Sequence, residues 1–189
     1  MLFSCDEVNK ILGLINLNNL DQDKLNFKGV SIDSRTSLPD DLFVAIKGNN
    51  FDGHDFLEEV VNKKIKAVVI CMKFINLVPK NCAYWAVSDT LDAFHKLVLM
   101  KRKNLDIPVI AITGSVGKTT TKEMMSNVLK SYGQIKTSQK NFNNEIGVGL
   151  TINSCNEEDK VLVLEMGMRG KGQIETLSKC SEPTIAVIT

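Results

Sequence analysis

Val109-Ile110-Ala111-Ile112-Thr113-Gly114-Ser115-Val116-Gly117-Lys118-Thr119-Thr120-Thr121 is the stretch that decides the fold of this chain. Its first five residues form a short apolar run of the kind buried on both faces of a parallel sheet. A glycine loop follows at once and opens into a helical pattern, the context in which glycines cradle phosphates. Gly114 and Gly117 allow backbone conformations closed to other residues, so successive N–H groups can turn inward. The helix N-terminus adds its positive end. Lys118 is suited to reach the β- and γ-phosphates of ATP, and the Thr119 hydroxyl to ligate Mg²⁺. Ser115, Val116 and Thr120 complete the expected cofactor-binding run. The general phosphate-loop pattern has a further glycine where Ile112 stands, so this is the shorter Gly-x-x-Gly-Lys-Thr form.

Working outward, Met125, Val128, Leu129 and Tyr132 predict an apolar stripe on the helix after the loop, with Gly133 as its stop. Val161 to Glu165 and Thr184 to Ile188 read as two more buried strands, separated by a helix near Gln173 to Lys179. Such alternation implies a parallel sheet with crossover helices. Upstream, Gly29 to Ile32 and Leu42 to Ile46 read as strands joined by a Pro39-Asp40-Asp41 turn. His54 to Lys64 is predicted helical, with Phe56, Leu57, Val60 and Val61 on one face, Glu58 and Glu59 early and Lys63 and Lys64 late. Strands follow at Ala67 to Cys71 and Tyr84 to Val87. Ser88 or Asp89 then caps a helix to about Asn104, with Leu91, Phe94, Val98 and Lys101 along one side and His95 at the surface. The fold class is therefore α/β: a small N-terminal α/β domain over residues 1–104, then the first part of a parallel-sheet ATPase domain over 105–189.

Composition narrows the function classes. The 189 residues are 43% hydrophobic and 24% charged, with 23 Lys and Arg against 22 Asp and Glu. That balance points away from nucleic acid or an anionic membrane. The N-terminus lacks the basic and apolar segments of a signal peptide, and no apolar run nears bilayer length. Five scattered cysteines form no metal-like cluster and read as cytosolic thiols. The expectation is a cytoplasmic protein without membrane insertion; a monomer is assumed, since nothing in the sequence sets the oligomeric state.

Three motifs carry a resemblance. Thr113 to Glu123, Thr-Gly-Ser-Val-Gly-Lys-Thr-Thr-Thr-Lys-Glu, looks like the phosphate loop of the Mur ligases. Thr137 to Thr151, with Asn141, Asn143 and Asn144, resembles an Asn-x-Asn-Asn-x-x-Gly segment of that family, with Gly149 where the family usually has proline. Read alone, those asparagines are turn formers in a loop. Asp33-Ser34-Arg35 and Asp52-Gly53-His54 look like the family's UDP-binding domain, although His54 by itself reads as a helix-start residue.

Ser115 and the Lys122-Glu123 pair resemble the branch that joins D-alanyl-D-alanine to UDP-N-acetylmuramoyl-tripeptide. The resemblance implies ATP and Mg²⁺ as cofactors and a two-step ligation through an acyl phosphate. It implies Asn141 and Asn144 near the nucleotide, Glu165 as a Mg²⁺ ligand beside Thr119, and Ser34, Arg35, Asp52, Gly53 and His54 at the UDP-linked substrate. The family's second metal site and amine-binding domain are expected beyond Thr189, so the chain is expected to be a fragment that binds nucleotide without ligating. Three alternatives stand: the related ligase for the third amino acid, a non-catalytic nucleotide-binding module, and an unrelated phosphate-loop switch.

Overall fold

Residues 3–139 and 141–189 are described by the structure, a computed structural model. Met1 and Leu2 of the N-terminal stretch and Lys140 of the asparagine segment lie outside the described residues. The chain divides into two units, Met1–Leu97 and Val98–Thr189.

The first unit opens with elements that hydrophobic periodicity alone does not reveal. β1 (Phe3–Ser4) pairs antiparallel with β2 (Asn26–Phe27). Between them runs α1 (Cys5–Leu12), started by a capping box: the Ser4 hydroxyl accepts from the Glu7 amide, and the Glu7 carboxylate accepts from the Ser4 amide. The Ser4-x-x-Glu7 spacing was the available signal for this helix. Next come β3 (Gly29–Ser31), β4 (Asp41–Val44), β5 (Ala67–Cys71) and β6 (Ala83–Val87). They form one sheet in that order, every neighbouring pair parallel. Phe43, Val68 and Ile70 pack with Leu57 and Val60 of α2 (Leu57–Asn62). On the opposite face Trp85 donates to Asn9 of α1 and to the Gly13 carbonyl, and Phe27 meets it edge-on. The helix expected from His54 begins instead as a 3₁₀ turn, Gly53–Phe56. Gly53 N–H is tied to the Ile46 carbonyl and the Asp52 carboxylate caps the His54 amide, which draws the first turn tight.

Of the two predicted caps for α3 (Thr90–Lys103), Asp89 is used, accepting from the amides of Leu91 and Asp92. The inner face is Ala93, Phe94, Leu97, Val98 and Lys101, whereas Leu91 and His95 are half-buried. The division between the units falls within α3 because its residues from Val98 onward belong to the second unit. There Lys101 donates to the Asn153 carbonyl. Arg102 donates to the carbonyls of Ser181, Leu105 and Glu182. Both cations thus satisfy the bare carbonyl ends of two later helices, where the helix dipole favours positive charge. Burial pushes the Lys101 ammonium below its usual range.

The second unit is built on β7 (Val109–Thr113), β8 (Gln134–Thr137), β9 (Asp159–Glu165) and β10 (Ile185–Ile188). The sheet order is β10-β7-β9-β8, all parallel. α4 (Lys118–Leu129) leads from β7 out to β8. α5 (Glu145–Asn153) and α6 (Gln173–Ser181) lead back through β9 to β10 on the far side of β7. The winding direction reverses at β7, and crevices beside such a strand end are where parallel sheets bind ligands. Ile110, Ile112, Val161 and Val163 pack against Met125 and Leu129 of α4.

Half of the predicted α4 stripe holds: Met125 and Leu129 pack on the sheet, whereas Val128 and Tyr132 are 71% and 75% exposed. The buried positions of α4 are Lys122 and Ser126, because the helix aims that face at the polar end of the sheet. β8 was not expected: Gln134-Ile135-Lys136-Thr137 has one aliphatic residue and sits at an edge, where the core demands little. Among the described residues no helix is long and apolar enough to cross a membrane. Cys5, Cys82 and Cys155 are buried free thiols; burial pushes Cys82 up to about 12 and Cys155 to about 11.

Candidate functional site

The site in the second unit grows from the glycine loop at the end of β7. Gly114 (φ 142°) and Gly117 (φ 85°) both hold positive φ, which side chains resist. Gly117 is the N-cap of α4, and its carbonyl accepts from the Thr121 amide at 2.9 Å. Ser115, Val116, Gly117, Thr119 and Thr120 are exposed, so the loop and the α4 N-terminus lie at the surface. Half-buried Lys118 draws back over the loop and donates to the Gly114 carbonyl at 2.8 Å.

β9 lies beside β7 with Ile112 opposite Glu165, and that register sets the second component. Glu165 is 7% exposed, and its Oε2 accepts from Thr119 Oγ1 at 2.9 Å. A hydroxyl and a carboxylate in contact beside a phosphate loop are hard oxygen donors suited to Mg²⁺. Thr119 and Glu165 are 46 residues apart in sequence; strand order joins them. Among the described residues no cluster of three or more His, Cys, Asp or Glu could hold a metal by itself.

The asparagine segment is only partly a loop. Asn141 is exposed in left-handed backbone (φ 66°), and Asn144 caps α5, its Oδ1 accepting from the Gly147 amide at 2.8 Å. The asparagine turned toward the carboxylate is Asn143, which sequence reasoning did not select: its Nδ2 lies 3.3 Å from Glu165 Oε1. Its carbonyl also accepts from the Gly167 amide. Lys122 was missed as a site residue as well; its Nζ lies 3.6 Å from Glu165 Oε2. The signal available was a lysine on the inner face of a helix directly after a phosphate loop.

The five substrate candidates of the first unit lie at the strand ends of its sheet, in two hydrogen-bonded sets. After β3, Asp33 clasps the exposed Arg35 guanidinium through both carboxylate oxygens, at 2.9 and 2.6 Å. The Arg35 hydrogen bond holds the Asp33 carboxyl below its ordinary range. Ser34 is buried, and its carbonyl accepts from Lys63 Nζ at 2.6 Å, which ties the turn to the end of α2. After β4, Gly53 lies against the backbone of Ala45 and Ile46. Asp52 bonds to Nδ1 of His54, and Nε2 of His54 accepts from the Cys71 amide at 3.0 Å. An Nε2 that accepts leaves Nδ1 as the ring nitrogen that donates, toward Asp52. Burial alone would raise the Asp52 carboxyl, but its bonds from His54 bring it below the usual range. With both ring nitrogens engaged and Phe74 4.1 Å away, His54 offers position rather than a free nitrogen.

Comparison with known proteins identifies the family. The Mur ligase family catalytic domain matches residues 26–112, and the Mur ligase middle domain matches 112–189. A UDP-N-acetylmuramoyl-tripeptide--D-alanyl-D-alanine ligase from Synechocystis sp. is 38% identical over 176 residues, which is 93% of this chain and 38% of the relative. The crystal structure of MurF from Acinetobacter baumannii superposes with a TM-score of 0.86 at 29% identity, covering 100% of this chain and 41% of that one. MurF ligase from Thermotoga maritima in complex with ADP gives 0.75 at 34% identity, over 85% of this chain and 36% of that one. The chain thus spans little more than a third of the length of these relatives. With one Mur ligase domain matched up to residue 112 and the next from there to Thr189, on the two parallel sheets described above, the chain belongs to the Mur ligase family.

Proposed function

We propose that this chain is the UDP-substrate-binding and nucleotide-binding part of a cytoplasmic ligase that adds D-alanyl-D-alanine to UDP-N-acetylmuramoyl-tripeptide using ATP. Residues 1–104 take the UDP-linked peptide and 105–189 take the nucleotide. The observation that carries the reading is the Thr119 hydroxyl held 2.9 Å from the Glu165 carboxylate beside an exposed glycine loop. The names of the relatives support the choice of substrates.

In this reaction a carboxylate oxygen of the tripeptide attacks the γ-phosphorus of ATP, the bond to the bridging oxygen breaks, and ADP leaves. The amine of D-alanyl-D-alanine attacks the resulting acyl phosphate, expels phosphate and gives up a proton. Both reactants of the first step are anionic, so charge is the obstacle. The amides of Gly114 to Thr119 and the Lys118 ammonium offset it from one side. Thr119 and Glu165 would hold Mg²⁺, which supplies charge neutralisation when bound. Ser34, Arg35, Asp52 and Gly53 present a guanidinium, polar groups and backbone to the UDP end, with His54 fixing the Asp52 turn.

Calorimetry with MgADP and MgATP tests the nucleotide half. The native chain should bind both, and Lys118→Ala should bind roughly 10- to 100-fold more weakly, as expected for loss of charge-assisted phosphate contacts. Equal affinities would refute the assignment. Chemical-shift changes at Ser34, Arg35 and Asp52 to His54 on adding UDP-N-acetylmuramic acid test the other half.

A further inference from the structure

We propose that Lys122 is the positioning residue of this site, holding the Glu165 carboxylate against the phosphate loop and making divalent-cation binding conditional on nucleotide. The proposal rests on the reading of the loop as a nucleotide site.

Lys122 is 1% exposed, on the second turn of α4. A buried ammonium is costly unless it is paired and hydrogen-bonded. Here Nζ donates to the Ser138 carbonyl at 3.0 Å and lies 3.6 Å from Glu165 Oε2. Ser138 closes the arrangement, since its hydroxyl accepts from the Glu165 amide at 3.1 Å and its own amide donates to the Val163 carbonyl. The lysine therefore joins α4, the segment after β8 and the end of β9 at one point. Among the described residues the other carboxylate paired with it is Glu123 (Oε1 at 3.4 Å), whose side chain is 65% exposed and screened by solvent.

This sets the charge of the site. Glu165 already faces Lys122, Lys118 stands over the loop, and Glu123 is turned to solvent, so the buried carboxylate is compensated by protein cations. A divalent ion arriving alone meets a carboxylate that is already compensated. Arriving with phosphates, it brings the negative charge that Lys118 and the loop amides accept. Lys122 thus orients Glu165 while preventing the bare site from trapping metal.

The test compares the native chain, Lys122→Met, Glu165→Gln and the double variant, titrated calorimetrically with Mg²⁺ alone and with MgADP, alongside thermal melts. The native chain should bind MgADP but not Mg²⁺ alone in the millimolar range. Lys122→Met should bind Mg²⁺ alone at least about tenfold more tightly, the scale of coupling between charges in contact. It should also lower the melting temperature, and the double variant should recover stability and lose the gained Mg²⁺ binding. A purely packing role for Lys122 would not raise Mg²⁺ affinity. If Lys122→Met alone does not fold, rescue by Glu165→Gln supports the pairing. A double variant as unstable as the single one overturns it, as does sub-millimolar Mg²⁺ binding by the native chain or an unchanged Mg²⁺ affinity in Lys122→Met. Absence of MgADP binding by the native chain would instead refute the nucleotide site itself, so the two failures are distinguishable.

Discussion

Gly53→Ala tests how the turn from Asp52 to His54 is held. A Cβ at this position would lie 2.8 Å from Ile46 N, 2.9 Å from Ala45 Cα and 3.1 Å from the Ala45 carbonyl carbon. All three are backbone atoms just past β4, and Ala45 is itself bonded to Val69 of the neighbouring strand. They cannot swing aside as a side chain would, so the turn must retreat by roughly half an ångström or more. That retreat strains the 2.9 Å bond from Gly53 N to the Ile46 carbonyl and the 3.0 Å bond from Cys71 N to His54. Overpacking costs about 1–3 kcal/mol and a weakened hydrogen bond about 1 kcal/mol, together about 2–4 kcal/mol. For a unit of this size, that lowers the melting temperature on the order of 10–20 °C. The assay is fluorescence of Trp85, the single tryptophan, which is fully buried in the first unit and bonded to Asn9 and Gly13. Gly48→Ala is the matched control, because its Cβ would meet just the Phe51 carbonyl oxygen at 3.4 Å; it should stay within about 0.5 kcal/mol of native. Equal melting of the two variants would refute the close approach and, with it, the reason for glycine at residue 53.

Arg102→Met should destabilise the second unit by about 2–4 kcal/mol, because three carbonyls lose a charged donor; faster hydrogen exchange in α6 is the measurement. Asn144→Ala should cost about 1 kcal/mol through loss of the α5 cap, while an effect confined to nucleotide affinity would mean that the side chain serves the phosphates instead. Asp33 has a lowered folded pKa, so its pairing with Arg35 stabilises above the ordinary value of 3.8 and is lost as pH falls through the folded value. Asp33→Asn should therefore be slightly less stable than native at neutral pH, by the small amount an exposed pair contributes, and the gap should close on acid titration. A gap that widened in acid would reverse the sign and exclude the pairing.

What the sequence by itself determined was whatever depends on neighbours along the chain. The run Val109 to Thr113, the glycines at 114 and 117 and the helix after them specify a strand, a phosphate loop and its place at a helix start, because backbone freedom and the helix dipole are local properties. A cap at Ser88 or Asp89, Gly133 as a stop and the buried strands at Ala67 and Val161 were legible for the same reason. Only the tertiary structure decided which distant groups meet. Strand order brings Glu165 to Thr119, and a crossing helix carries Lys122 to the same carboxylate. Of three asparagines with equal local propensity, one sets the α5 cap and another faces Glu165. His54, read as a substrate contact, is turned inward by Asp52 and the Cys71 amide. Periodicity found Met125 and Leu129 on the inner face of α4 but not Lys122, since a hydrophobic stripe marks where a helix could pack, whereas the polar end of a sheet can draw in a lysine that pairs there.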